Sequence, residues 1–262
     1  RAVRAADRAL KGAWREITPA ARGRLLLKLA QVIEAAKEEL AQLSAALDAL
    51  VAVTPDARDA FDNRDARFIG VAGAMGHSRV TAALSAAGSC LVVGTRLPLL
   101  ARMGLEARLL DMPVVSLGRE ASFLTSDRHH HLACELRSGL RMLAGAIRDC
   151  GAKPRVEHHI AAGAVSPTGP SATFDSVVAL HAVERAFDDE SIVLVDAGNT
   201  GAHAVHHLRA PRHGRWLLAT GMAGMGYAFG AAVGAAIASR RRCWVIAGDG
   251  AFFMHGLEIH TA

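Results

Sequence analysis

A single aspartate stands between two glycines at the end of an apolar run. The run 243–247 has the length and composition of a buried strand, and Gly248-Asp249-Gly250 follows it directly. Ligand sites in open α/β sheets lie at the carboxyl ends of the strands. Glycines let a backbone approach a ligand closely, free N–H groups there can bind phosphate oxygens, and a neighbouring carboxylate suits Mg²⁺. The pattern predicts a phosphate and magnesium site; its alternative interpretation is an ordinary Asp-Gly turn.

Two other segments have residues of the same kind. Asp196-Ala-Gly198-Asn199 follows a second apolar run at 192–195, and Thr200 comes next. Upstream of Asp249, Gly221-Met-Ala-Gly224-Met225 leads into a stretch of small residues that we expect to form a helix at 225–238. Both segments place glycines beside a predicted element end. They are the natural partners of Asp249 if the strands lie side by side.

A parallel sheet is the element arrangement that would bring such strand ends together. Short apolar runs with glycine exits alternate along the chain with helical stretches, which is typical of β-helix-β units. The sequence therefore predicts an α/β fold with parallel-sheet, Rossmann-like layers and a helical N-terminal segment. The predicted strands are 90–94, 113–118, 192–195 and 243–247, and residues 68–73 are predicted as a strand end that enters a glycine turn. The predicted helices between them include 81–87, 132–148 and 175–187.

The chain divides into four parts. Residues 1–48 read as helical throughout, with Leu40, Leu43 and Leu47 on one apolar face. Residues 50–150 carry the first strand-helix units. Residues 151–172 are rich in proline and glycine and predict a linker. Residues 173–262 contain the candidate site.

Composition excludes several classes of protein. The 262 residues are 51% apolar and 21% charged, which excludes a disordered chain. Apolar stretches are interrupted before they reach the length of a membrane span. The net charge of +5 is scattered and aromatic content is only 5%, so we expect no nucleic-acid binding. Four cysteines without a CxxC pair favour a reducing, cytoplasmic location.

Paired histidines offer a weaker alternative. The runs 129–131, 158–159 and 206–207 suggest metal binding, but adjacent side chains on a helix or strand point in different directions. We therefore do not expect a metal site there. His77 and His255 lie near glycine turns and are better placed to reach a ligand, with no role assigned to either.

Taken together, the segments around Met225 and Asp249 resemble the diphosphate-binding domain of thiamine diphosphate enzymes, in the acetolactate synthase and 2-keto acid decarboxylase superfamily. That family has G-x-M-G-[FY], a small-residue helix, a strand and then GDG[SA]F. The resemblance implies thiamine diphosphate and Mg²⁺ as cofactors, with Asp249 as a metal ligand. It also implies two groups of cofactor-binding residues. The Gly224 carbonyl and the Met225 side chain contact the organic rings of the cofactor. The residues at the diphosphate are Asn199, Thr200, Gly248, Asp249, Gly250 and Ala251.

Two earlier segments resemble other domains. Residues 68–77 with 89–97 resemble part of the central domain of the same superfamily, which binds FAD or another nucleotide in some members and is structural in others. The glycine spacing there is not the dinucleotide fingerprint, so we expect no NAD site. Residues 1–48 resemble an N-terminal helical stretch of aldehyde dehydrogenases. The catalytic cysteine, general-base glutamate and NAD-binding glycines of that family have no counterpart in this sequence.

The resemblance implies a decarboxylase or ligase of 2-keto acids, a lyase or transferase similar to acetolactate synthase. In that family a pyrimidine-binding domain supplies an activating glutamate, and nothing in this sequence resembles it. We therefore expect an incomplete chain that is inactive alone, and a homo-oligomer or a complementing subunit as its partner. The alternatives are a fragment of an NAD-dependent aldehyde dehydrogenase and a non-catalytic subunit.

Overall fold

A computed structural model describes residues 37–150, here called the N-terminal half, and residues 175–261, the C-terminal half. The helices expected before residue 37 and the linker expected at 151–172 lie outside the described residues. Within the described residues, no helix is both long and apolar enough to cross a membrane.

The N-terminal half alternates helices with parallel strands. Strand β1 (Val51–Val53) pairs with β2 (Phe68–Val71), and in a second sheet β4 (Val114–Gly118) lies between β3 (Cys90–Val93) and β5 (His129–Ala133). In chain order the elements are α1 (37–47), β1 (Val51–Val53), a 3-10 turn (Pro55–Ala57), β2 (Phe68–Val71), α2 (Ser78–Ala86), β3 (Cys90–Val93), α3 (Leu99–Arg102), α4 (Glu106–Asp111), β4 (Val114–Gly118), β5 (His129–Ala133) and α5 (Leu136–Asp149).

The C-terminal half is a three-stranded parallel sheet with helices packed against it. Strand β6 (Ile192–Val195) lies between β7 (Arg215–Leu218) and β8 (Cys243–Ile246). Its sequence Ile-Val-Leu-Val is fully buried, as expected of a central parallel strand covered on both faces. The elements are α6 (Ser176–Glu184), β6 (Ile192–Val195), α7 (Asn199–His207), β7 (Arg215–Leu218), α8 (Tyr227–Ser239), β8 (Cys243–Ile246), α9 (Asp249–His255) and a 3-10 helix (Gly256–Thr261).

The predicted α/β class with parallel sheets is confirmed, with one local error. We expected a helix over 132–148, but residues up to Ala133 belong to strand β5 and the helix starts only at Leu136. Strand β5 pairs in register with β4. The Glu135 side chain accepts hydrogen bonds from the Arg137 and Ser138 N–H groups and so defines the true helix start.

Helix α1 packs on the rest of the N-terminal half. Leu43 is almost fully buried beside Leu117 of β4 and Leu140 of α5. Glu39 accepts hydrogen bonds from Arg137 at 2.8 Å and from Arg141 at 2.6 Å. The apolar face predicted for this helix is therefore the face that it buries.

One hydrophobic core spans the two halves. Val53, Phe61 and Val71, on and beside the β1–β2 pair, share a buried cluster with residues of the β6 sheet and of α7. The members from the C-terminal half include Val193, Val195, Val205, Leu208 and Trp216. The β1–β2 pair is thus packed against the sheet whose strand ends carry the candidate site.

Candidate cofactor-binding site

The first feature of the site is the meeting of two strand ends. Strands β6 and β8 are parallel neighbours with Val195 opposite Ile246, so the turns that follow them lie at the same edge. A Cβ added to Gly248 would lie 3.4 Å from the Thr200 hydroxyl oxygen. The structure therefore brings together the Asn199-Thr200 and Gly248-Asp249-Gly250 segments that the sequence placed 50 residues apart.

The third segment is held at this edge by Asp196, which is 1% exposed. One of its carboxylate oxygens accepts the Gly226 N–H at 2.9 Å, and the other accepts the Ala228 N–H at 2.9 Å. A carboxylate that accepts backbone N–H groups in a buried place makes strong, charge-assisted hydrogen bonds. It also acts on its neighbour, because burial and the negative charge of Asp196 raise the pKa of the Tyr227 phenol.

Sequence reasoning noted Asp196 in its turn but did not assign it this role. The available signal was an acidic residue directly after four fully apolar strand residues. Such a residue cannot point to bulk solvent easily and needs local partners.

Asp249 is exposed and begins helix α9. Its Oδ1 atom accepts the Gly250 N–H at 2.8 Å. A negative charge is favourable at a helix N-terminus. The carboxylate therefore stands at the sheet edge with access to solvent, where a hard cation can reach it.

A magnesium ion at this place needs more oxygen ligands than Asp249 provides. Over 37–150 and 175–261 no group of three or more His, Cys, Asp or Glu side chains forms a metal site. Mg²⁺ is commonly held by one or two carboxylates together with substrate phosphate oxygens and water. One exposed carboxylate at the start of a helix fits that arrangement, so the residues suit a magnesium-diphosphate pair better than a free metal ion.

The glycines of the site fall into two kinds. Gly226 is required by the fold, because its φ is +88° and an added Cβ would lie 2.6 Å from the His255 ring. Gly224 and Gly250 are different: an added Cβ there meets no atom of the described residues within 4 Å. Since the chain does not require glycine at these two positions, their openness leaves room for a bound molecule.

The two residues expected at the organic rings lie on the loop before α8. Met225 is 46% exposed, so its side chain is available to a ligand. The Gly224 carbonyl is exposed and accepts the Tyr227 N–H at 3.4 Å. Ala251 is buried, so only its backbone can contribute to binding.

Several apolar side chains in the segments that carry the site are exposed. Met222 is 98% exposed, and so are several residues of α9 and of the 3-10 helix that follows it. We call the exposed group Phe252, Phe253, Met254, Leu257 and Ile259 the α9 face. Contiguous exposed apolar surface of this kind marks an interaction site or an aggregation liability.

Stacked histidines join the two halves of the chain near the C-terminal end of α7. The rings of His77 and His206 stack with centroids 4.2 Å apart. His77 Nδ1 accepts the Val71 N–H at 3.0 Å, which requires an unprotonated nitrogen. Burial, followed by the nearby His206 and Arg58, lowers the pKa of His77 to about 4.

Three other histidines considered in the sequence analysis make contacts within their own half of the chain. His129 lies within hydrogen-bonding distance of the Leu124 and Leu109 carbonyl oxygens, and His131 pairs with the Ser116 hydroxyl. His255 packs over Gly226.

Comparison with known proteins agrees with this geometry. The family model "Thiamine pyrophosphate enzyme, C-terminal TPP binding domain" matches residues 196–262, a range that holds Asp196 and every predicted site residue. The model "Thiamine pyrophosphate enzyme, central domain" matches residues 24–138. The second match begins inside the segment compared above with aldehyde dehydrogenases, and the aldehyde dehydrogenase alternative is not favoured.

The parallel α/β layers and the two matched domains define a thiamine-dependent enzyme fold. The chain belongs to the thiamine pyrophosphate enzyme superfamily. It is 31% identical over 122 residues to the "Putative acetolactate synthase large subunit IlvB2" of Mycobacterium tuberculosis. That alignment covers 44% of this chain and 22% of the relative, so it spans about a fifth of the relative's length.

Proposed function

We propose that this chain binds the diphosphate end of thiamine diphosphate, with Mg²⁺, as part of an acetolactate synthase-like enzyme acting on 2-keto acids. The observation that carries the proposal is the convergence of three segments at one sheet edge: the Asp196-to-Thr200 turn, the loop at 221–228, and Gly248 to Ala251. When bound, thiamine diphosphate supplies an electron sink for cleavage or formation of bonds next to a carbonyl group. The chain's own residues bind and orient it.

Each residue has a proposed task. The backbone N–H group of Ala251, at the start of α9, binds a phosphate oxygen, and the Gly250 N–H does the same once the Asp249 carboxylate, its present acceptor, turns toward Mg²⁺. Asn199 and Thr200 bind the same group from the start of α7. Asp249 holds Mg²⁺ against the diphosphate. The Gly224 carbonyl would accept a hydrogen bond from the aminopyrimidine, and the Met225 side chain would provide an apolar contact for the organic rings of the cofactor.

Calorimetric titration of the purified chain with thiamine diphosphate and Mg²⁺ tests the proposal. We expect metal-dependent binding in the wild type and its loss in Asp249→Ala. The matched control is Asp111→Ala, which removes an exposed carboxylate at the end of α4 in the other half of the chain. Equal binding by the wild type and Asp249→Ala, or no binding by either, would contradict the proposal.

A partner chain completes the proposed enzyme. The α9 face lies beside the site and is exposed, and apolar surface of this extent favours association. We propose that a second copy or a complementing subunit covers it and supplies the pyrimidine-binding groups. On this proposal the isolated chain turns over pyruvate no faster than the uncatalysed reaction. Acetolactate formed by the chain alone and lost in Asp249→Ala would overturn it.

A further inference from the structure

Helix α7 is held at its far end by the N-terminal half of the chain. Its first residues are Asn199 and Thr200, and its C-cap is Leu208. Nine residues make a helix about 14 Å long, so the two ends are separate places. A contact at the C-terminal end can therefore act on the first turn only through the helix itself.

The main contact at that far end is the Arg58 guanidinium, which is 2% exposed. Its Nε donates to the Leu208 carbonyl oxygen at 2.8 Å, and one Nη donates to the same oxygen. A carbonyl at a helix C-terminus lacks an intrahelical partner, and a cation there interacts favourably with the helix dipole. Burial lowers the pKa of Arg58 to about 10, which leaves the group charged at neutral pH.

Residues close to Arg58 in sequence also bind the chain just after α7. The Asn63 side-chain oxygen accepts the Ala210 N–H at 2.8 Å, and Arg64 donates to the Ala210 carbonyl at 3.2 Å. His206 stacks on His77 one turn earlier in the helix. All of these contacts join residues 58–77 to the last turn of α7 and the residues just after it.

Burying the Arg58 guanidinium has a large desolvation penalty, although its hydrogen bonds go to a single carbonyl oxygen, that of Leu208. Removing a charge from water is strongly unfavourable unless hydrogen bonds or an opposite charge compensate for it. The hydrogen bonds of Arg58 go to a helix C-terminus, and its remaining Nη has no hydrogen-bond partner among the described residues. These directional hydrogen bonds constrain the C-terminal end of the helix in addition to the apolar packing of Ala204, Val205 and Leu208.

We propose that Arg58 is a positioning residue for the diphosphate site, acting through helix α7. By holding the C-terminal end of α7, it sets where Asn199 and Thr200 stand relative to Gly248 at the sheet edge. This inference rests on the proposed function for the identity of the ligand. The positioning itself is a property of the chain and can be measured without the ligand.

The test compares three variants of the full chain. Arg58→Met removes the donors and the charge but keeps an apolar stem, and Arg58→Lys keeps the charge without the planar fork. The control is Arg67→Met: Arg67 pairs with Asp65 in the same segment and also lies over an aromatic ring, that of Phe61. Hydrogen exchange of the amides at 202–204 is measured without ligand, and thiamine diphosphate affinity is measured with Mg²⁺.

We expect Arg58→Met to speed exchange at 202–204 and to weaken binding about tenfold, a size typical of coupling between sites. Arg58→Lys should recover part of both losses, and Arg67→Met should change neither at equal overall stability. Faster exchange confined to 205–210, or unchanged affinity in a folded Arg58→Met, would overturn the proposal. If the wild type does not bind, the proposed function fails, while the exchange data still decide whether Arg58 positions the first turn.

Discussion

At the scale of single residues, the candidate site contains a glycine that the fold requires and glycines that it does not require. Gly226 has a left-handed backbone and lies against His255, so a side chain there would disturb the chain itself. Gly250 has ordinary helical surroundings and open space around it. The difference lets ligand binding be tested without damage to the fold.

We predict that Gly250→Ala weakens thiamine diphosphate binding at least about tenfold by occupying the space of the phosphate, while leaving the chain folded. Alanine in a helix is favoured over glycine by roughly 0.5–1 kcal/mol, so the free energy of unfolding should rise slightly. The control is Gly234→Ala in α8, which is equally open and exposed. Titration calorimetry and urea unfolding measure the two effects; equal affinities in both variants would show that Gly250 does not face the ligand.

At the scale of elements, the N-terminal half contacts β7 through the Asp59–Arg215 ion pair and contacts α7 through a pair of stacked histidines whose interaction depends on pH. His77 stacks on His206 and accepts the Val71 N–H, so protonation of His77 at Nδ1 breaks a hydrogen bond and places charge near His206 and Arg58. The folded chain therefore resists binding this proton. The same direction holds for His207, whose pKa is lowered by burial and by the neighbouring histidines.

We predict that stability falls as pH drops from 6.5 toward about 4. The pKa of His77 is about 4 in the folded chain and 6.5 without its surroundings, so between these values the unfolded chain binds the proton first. The contribution of His77 is complete above pH 6.5 and is lost on acidification. Urea unfolding at pH 7.5, 6.5 and 5.5 measures it, a range above the titration of the carboxylates.

His77→Gln should flatten this pH dependence, because its side-chain oxygen can accept the Val71 N–H without titrating. His130→Gln is the control, since His130 is exposed on strand β5. The same slope in both variants would assign the pH dependence to other groups.

At the scale of the whole molecule, one hydrophobic core joins the two halves while a separate apolar surface remains uncovered. Val53 and Val71 are buried with Val193 and Val195, so the N-terminal half supports the sheet that carries the site. The α9 face, in contrast, is exposed to solvent, and Phe253 in this face is 85% exposed. A chain with this surface is expected to associate.

We predict concentration-dependent self-association that Phe253→Glu reduces. A charge in the middle of the α9 face must be desolvated when the face is covered, which opposes association. The matched control is Met142→Glu on α5, where the methionine is 76% exposed in the N-terminal half. Sedimentation velocity over a hundredfold concentration range measures the effect. A wild type that stays monomeric throughout, or an equal response to both substitutions, would contradict the prediction.

The sequence by itself determined the parallel α/β class and most strand positions, and it predicts the residues of the cofactor segments. These follow from local properties: apolar runs of strand length, glycines at their ends and an acidic residue in a turn. Strand β6 shows this well, because Ile192 to Val195 is both predicted and observed as a buried strand.

Only the tertiary structure decided which of these residues act together. Arg58 meets Leu208 across 150 positions of sequence, and Asp196 meets Gly226 across 30. His77 and His206 stack although neither segment indicates the other. The start of helix α5 was misjudged for the same reason, since residues 132–133 belong to strand β5, whose conformation depends on pairing with β4. Such contacts arise from the packing of elements that are distant in sequence. A local pattern of residue types therefore does not predict them.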